Sequence, residues 1–258
     1  MRTVTVTRYL TPLREGGSLP AIVEADDEGL YVLKFRGAGQ GRKALVAELI
    51  AGEIARALDL AVPEIVFATV DPELARTEPD AEIQDLVRAS GGLNLALDYL
   101  PGAVAFDPVA ERPDTRLSSA VVWFDALVAN VDRTARNTNL LMWHRRLWLI
   151  DHGAALTFHH AWSDDPQRPT RPFALIRDHV LLRHAGAVAE VDAALAARLT
   201  PAVIEAIVAQ VPDDWLAGEP AFADVAATRR AYVDHFVARL RAPRAFAEEA
   251  VRAHAALV

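Results

Sequence analysis

The sequence predicts an α+β fold in two lobes: a small antiparallel sheet with one helix, then a mainly helical part. Three observations predict it. Short runs between residues 3 and 35 alternate with the period of strands, residues 43 to 58 carry the period of a helix, and beyond Pro172 almost everything reads as alanine-rich amphipathic helix. Pro101-Gly102 is the best candidate boundary, giving an N-terminal lobe of residues 1–100 and a C-terminal lobe of residues 101–258.

In chain order, residues 3 to 9 (TVTVTRY) alternate with period two, and residues 21 to 25 and 30 to 35 form two more strands around the turn Asp26-Asp27-Glu28-Gly29. The glycine-rich Gly37-Ala38-Gly39-Gln40-Gly41 leads into a helix over 43 to 58, stopped by the segment Asp59 to Pro63. A strand follows at 64 to 70; residues 71 to 92 are acidic and less regular; residues 94 to 100 read as a further strand. A helix from Leu117 to about Asn130 leads through a polar turn to a hairpin of 138 to 143 and 147 to 150. Helical stretches are expected near 173 to 198, 201 to 210 and 222 to 257.

Composition excludes several function classes. There is no cysteine, so disulfides, thiolate metal sites and cysteine nucleophiles are ruled out. A formal net charge of −8 disfavours direct contact with nucleic acid, which relies on a positive surface. The richest apolar stretch, Ala120 to Asn130, is broken by Asp125, so no membrane span is expected. The first residues lack the apolar core of a signal peptide, and the reading is cytoplasmic.

Chemistry concentrates between two apolar elements, in the run from Asn130 to Asn139 and then, fourteen residues after Asn137, at Asp151 in Ile150-Asp151-His152-Gly153. Asp132 precedes Asn137 by five positions in a loop, and the hairpin could bring Asp132, Asn137 and Asp151 to one site. Phosphoryl transfer needs such a set: a carboxylate to engage the acceptor hydroxyl, and an amide and a second carboxylate to hold Mg²⁺ against nucleotide phosphates. Taken singly, Asp132 and Asn137 could merely cap a helix and shape a turn.

This constellation resembles the catalytic loop and metal-binding triplet of HipA-like and phosphoinositide-type kinases, with Asp-His-Gly where protein kinases have Asp-Phe-Gly. The resemblance implies a two-lobed protein-kinase-like fold, ATP and Mg²⁺ as cofactors, Asp132 as catalytic base, and Asn137 and Asp151 as magnesium ligands. It also implies that Lys34, in Tyr31-Val32-Leu33-Lys34-Phe35, positions the nucleotide phosphates and pairs with Glu48 of the following helix. A helical wheel leaves Glu53 open as the alternative partner, because it lies on the bulky stripe of Val46, Leu49, Ile50 and Ala57. Gly16, Gly17 and Ser18 form a candidate phosphate-covering loop, and Asp98, Tyr99 and Leu100 stand where kinases hold adenine with backbone groups. The segment before Lys34 is too short for the extra N-terminal subdomain of full HipA toxins, so partnership with a DNA-binding antitoxin is not carried over.

His152, His159 and His160 fit no strong zinc pattern and are read as loop or pocket residues. Trp123, Phe124, Leu127, Trp143 and Trp148 are expected as packing beneath the site. Arg133 and Asn139 are candidates to support the catalytic residues from behind. The expected activity is ATP- and Mg²⁺-dependent transfer to a hydroxyl acceptor, with a protein serine or threonine favoured by the resemblance and a lipid or small alcohol as other acceptors. The alternatives are a catalytically inactive nucleotide-binding regulatory module and a plain interaction domain.

Overall fold

Alternation builds the first lobe. In a computed structural model that describes residues 1–13, 19–39, 41–163 and 165–257, strands β1 (Thr3–Pro12), β2 (Ala21–Ala25), β3 (Leu30–Lys34), β4 (Ile65–Val70) and β5 (Gly92–Asp98) close into a barrel in the order β1-β2-β3-β5-β4. The sequence suggests an antiparallel sheet, and four pairings are antiparallel; the fifth, β1 with β4, is parallel and closes the ring. One face of each strand fills the barrel: Val4, Val23, Tyr31, Leu33, Val66 and Ala96 belong to one apolar cluster. The other face of β4 and β5, through Ile65, Leu95 and Leu97, joins a second and larger cluster. Lys34 is in register with Leu95 across the β3–β5 pair, so it stands on this outer face.

Helix α1 (Arg42–Ala57) lies on that face, burying Leu45, Leu49, Ile50 and Ile54. Gly52 lets it approach closely, since a Cβ there would meet Ile65 Cδ1 at 2.4 Å. The cluster that contains α1 runs on without a break into the helices of the second lobe. Residues 71 to 92 hold more order than their acidity suggests: a 3₁₀ turn (Pro72–Thr77) and helix α2 (Ala81–Ala89), whose N-cap Asp80 accepts the Glu82 N–H and whose Ile83 and Val87 pack on the barrel.

The second lobe opens with a short strand β6 (Val104–Ala105) and helix α3 (Thr115–Val128), capped by Asp114, which accepts the N–H groups of Arg116 and Leu117. Trp123, Phe124 and Leu127 of α3 are fully buried, as expected. The hairpin β7 (Leu140–Trp143) and β8 (Arg146–Leu149) follows and pairs with β6. Its Trp143 and Trp148 depart from the core role expected: they are half-buried and line an outer groove with Leu60, Val62 and Leu100.

Helices α4 (Val188–Arg198), α5 (Pro201–Val208), α6 (Asp213–Leu216), α7 (Val225–Arg239) and α8 (Ala245–Ala255) complete the lobe. Where one helix is expected from residue 173, there are instead 3₁₀ turns at Ala174–Asp178 and Leu182–His184. The cause is tertiary: His179 bridges Thr134, and the Val180 N–H donates to the Arg133 carbonyl at 3.1 Å, which pulls this stretch out of helical geometry. Residues 222 to 257 are two helices rather than one, broken just past Arg239 where Pro243 cannot supply a helical N–H. Among the described residues no helix is long and apolar enough to cross a membrane.

Candidate active site

Three elements deliver charge to one point. Strand β3 ends on Lys34, α1 presents the buried Glu48, and Asp151 stands two residues past the end of β8. The Lys34 ammonium lies 2.7 Å from Asp151 Oδ1 and 3.7 Å from Glu48 Oε2. Glu48 is 1 % exposed and receives the backbone N–H of His152 on Oε2 at 2.9 Å, while His152 Nδ1 approaches Oε1 at 3.3 Å. Glu53, the alternative partner of Lys34, faces away and pairs with Arg56 at 3.6 Å.

The electrostatics follow from burial and pairing. Burial alone would lower the Lys34 ammonium, but Glu48 and Asp151 hold it above its ordinary value of 10.5. Burial would raise Glu48, yet Lys34 and His152 outweigh it and hold the carboxyl down at about 2. The histidine of the Asp-His-Gly triplet is therefore a polar prop for Glu48 as well as a packing group, its ring edge-on to Phe124 with centroids 5.7 Å apart. Asp151 itself sits in left-handed backbone at φ 53°, a conformation that costs a non-glycine residue on the order of 1 kcal/mol and is tolerated where the surroundings fix it.

Asp132, Asn137 and Asn139, the candidate catalytic-loop residues, form a second cluster. Asp132 Oδ2 accepts from Asn137 Nδ2 at 2.8 Å and from Asn139 Nδ2 at 3.1 Å, so Asn137 folds back onto Asp132 while its own Oδ1 has no partner among the described residues. Thr134 ties the loop beneath them, its N–H donating to the Asn137 carbonyl at 2.9 Å. Among the described residues no hydrogen bond claims Asn137 Oδ1 or the Asp151 oxygen that does not face Lys34. Such donors suit a hard cation that completes its shell with phosphate and water. Among the described residues no three histidines or carboxylates converge on a metal, and His159 and His160 instead face each other at 3.2 Å beside Tyr232.

The candidate catalytic-loop residues rest on a buried network in which the sequence reading named Arg133 and Asn139 but missed Asp125 and His179. Asp125, fully buried on α3, binds Arg133 Nε at 2.6 Å, His179 Nε2 at 2.8 Å and Asn130 Nδ2 at 2.9 Å. Burial would raise Asp125, but Arg133 and His179 hold it well below its ordinary 3.8. Arg133 then donates to the carbonyls of Asn139 and Ile150, the latter immediately before Asp151. One guanidinium thus joins the loop carrying Asp132 to the strand ends that carry Asn139 and Asp151. An acid inside an otherwise apolar helix was the available signal for Asp125; nothing local marks His179. Further out, Arg239 of α7 donates to the carbonyls of Ala126, Leu127, Pro169 and Arg171, and its burial without a carboxylate lowers it to about 10.

Of the expected nucleotide contacts, Gly16, Gly17 and Ser18 lie outside the described residues. At the end of β5, the Asp98 N–H donates to the Glu64 carbonyl at 2.8 Å and the Tyr99 N–H to the Leu30 carbonyl at 2.9 Å. The Leu100 N–H has no hydrogen-bond partner among the described residues.

A strand lobe and a helical lobe with a lysine, a buried glutamate and two loop carboxylates between them define the class as a phosphotransferase of kinase type. The chain belongs to the HipA-like kinase family, whose model matches residues 6–248. Comparison with curated protein sequences gives no match. Among solved structures, the fold is similar to a Helicobacter pylori proinflammatory kinase, CtkA, at 13 % identity and a TM-score of 0.54, covering 92 % of this chain and 94 % of that one. It is also similar to a Golgi casein kinase, solved with Mn and ADP bound, at 11 % identity and a TM-score of 0.54, covering 98 % of this chain and 74 % of that one.

Proposed function

We propose that this kinase uses ATP and Mg²⁺ to transfer the γ-phosphoryl group to a hydroxyl, with a protein serine or threonine as the favoured acceptor. The observation that carries the reading is the meeting of Lys34, Glu48 and Asp151, from three separate elements, within 3.7 Å of one ammonium. Lys34 binds the nucleotide phosphates, and Glu48, held by His152, keeps Lys34 in place. Asn137 and Asp151 would hold Mg²⁺, which neutralises phosphate charge when bound. Adenine sits against the Asp98 to Leu100 segment, with the free Leu100 amide as its donor, and Pro101-Gly102 serves as the hinge between lobes 1–100 and 101–258.

Asp132 engages the acceptor. The hydroxyl oxygen forms a bond to the γ-phosphorus, the bond from that phosphorus to the β,γ-bridging oxygen breaks, the hydroxyl proton passes to Asp132, and ADP leaves. The amides of Asn137 and Asn139 orient the accepting carboxylate for that task.

The first test is thermal: ATP with Mg²⁺ should raise the melting temperature of the wild type, and Asp151→Ala should lose the magnesium-dependent part. No rise at saturating ATP would overturn the reading.

A further inference from the structure

The mouth of the catalytic loop is basic, although the chain as a whole carries a net charge of −8. From Arg168 to Arg183 the sequence has four arginines and one acid, Asp178. Two of the four are engaged: Arg168 donates to the Ala161 carbonyl and Arg171 pairs with Asp165. Arg177 is 69 % exposed and has only its chain neighbour Asp178 at 3.7 Å, and Arg183 makes no hydrogen bond or ion pair among the described residues.

This stretch is held directly against the loop that carries Asp132, through the Thr134–His179 bridge and the Val180 N–H on the Arg133 carbonyl. On the loop itself stands Arg136, immediately before Asn137. Its backbone is fixed, with the N–H on Thr134 Oγ1 at 3.3 Å, while its exposed guanidinium has no partner among the described residues. Asn137 folds back onto Asp132, so Arg136 is the chain neighbour of a residue in direct contact with Asp132. A cavity of about 420 Å³ lies beside it, lined by Ala135, Asp178, Val180 and Arg183 among others.

A fixed backbone carrying an unpaired, exposed arginine costs little in the free protein and gains an ion pair only when an anion arrives. We infer that Arg136, with Arg177 and Arg183, recognises a carboxylate or phosphate flanking the acceptor hydroxyl, so that the kinase takes acidic serine or threonine peptides. The inference rests on the kinase reading above and specifies its acceptor. Arg136 is a specificity residue: it touches the peptide away from the reacting atoms.

The test uses the full chain and three serine peptides that differ only in their flanks, with glutamates, alanines or lysines. The glutamate peptide should show a kcat/KM at least about tenfold above the lysine peptide, and raised salt should narrow the gap. Arg136→Ala should remove most of that preference through KM, Arg136→Glu should reverse it, and Arg183→Ala should weaken it. Equal use of the three peptides, an unchanged preference in Arg136→Ala, or transfer to none of them would each overturn the inference. The magnesium-ATP melting shift of the wild type, read in the same samples, reports separately on the kinase reading and distinguishes its failure from this one.

Discussion

Asp132 accepts from two side-chain amides and has no charged partner among the described residues, so under the proposed mechanism its replacement removes the proton acceptor and little else. Asp132→Asn should keep the ATP-dependent melting shift while slowing phosphoryl transfer by about 10²–10⁴-fold, measured by single-turnover kinetics; full turnover in that variant would remove Asp132 from the base role. Asp125 behaves differently because it is buried against Arg133 at 2.6 Å. Asp125→Asn leaves a buried guanidinium without its counter-charge and should cost about 3–5 kcal/mol in urea unfolding. The sign of its pH dependence follows. The Asp125 carboxyl is held below 3.8 in the fold, so its contribution is complete above that value and is lost as pH falls through the lower folded value. The variant should therefore show a flatter acid limb below about pH 4 than the wild type.

At the scale of elements, α1 is the part on which most depends, because one face carries Glu48 to Lys34 and the same face is the meeting ground of both lobes. Its Ile54 is fully buried in the shared cluster, so Ile54→Ala should destabilise by about 2–5 kcal/mol, checked by denaturant midpoint. The sequence shows α1 within a residue at each end and places β2 to the residue, since strong period and a glycine-rich lead-in leave little choice. Through motif order it singles out Lys34, Glu48, Asp132, Asn137 and Asp151 as candidates, of which the structure brings Lys34 to Glu48 and Asp151, and Asn137 to Asp132. It does not show the turns at 174 to 184, because their local pattern is helical and the pull comes from Arg133 and Thr134, far earlier in the chain. Nor does it show Asp125 with His179, whose partnership spans 54 positions. Barrel closure is hidden for the same reason: nothing in β1 announces that its second neighbour is β4.

Across the whole molecule, the apolar cluster that takes in α1, α3, α7 and α8 has no seam between the lobes. Unfolding should accordingly be one cooperative transition rather than two, with coincident fluorescence and circular-dichroism curves. Two buried histidines set its acid sensitivity. Burial lowers His159 and His235 from 6.5 to about 3, so each takes up a proton on unfolding below about pH 6.5. Stability should be complete above that value and fall towards pH 3 by up to about 1.4 kcal/mol per unit per histidine. Comparing urea midpoints at about pH 7.5 and about pH 5 checks this, and His235→Phe, stacked as His235 is on Phe158, should lose its share of the dependence.

Arg239 satisfies the last carbonyls of α3 and two carbonyls of the segment that follows Asp151, from a helix near the far end of the chain. Among the described residues no other side chain donates to those four acceptors, so they wait on α7. During synthesis Asp132, Asn137 and Asp151 thus leave the ribosome well before Arg239, which ties the end of α3 to the segment after them. A nascent chain stalled short of residue 239 should be silent towards nucleotide, and competence should arrive late and all at once.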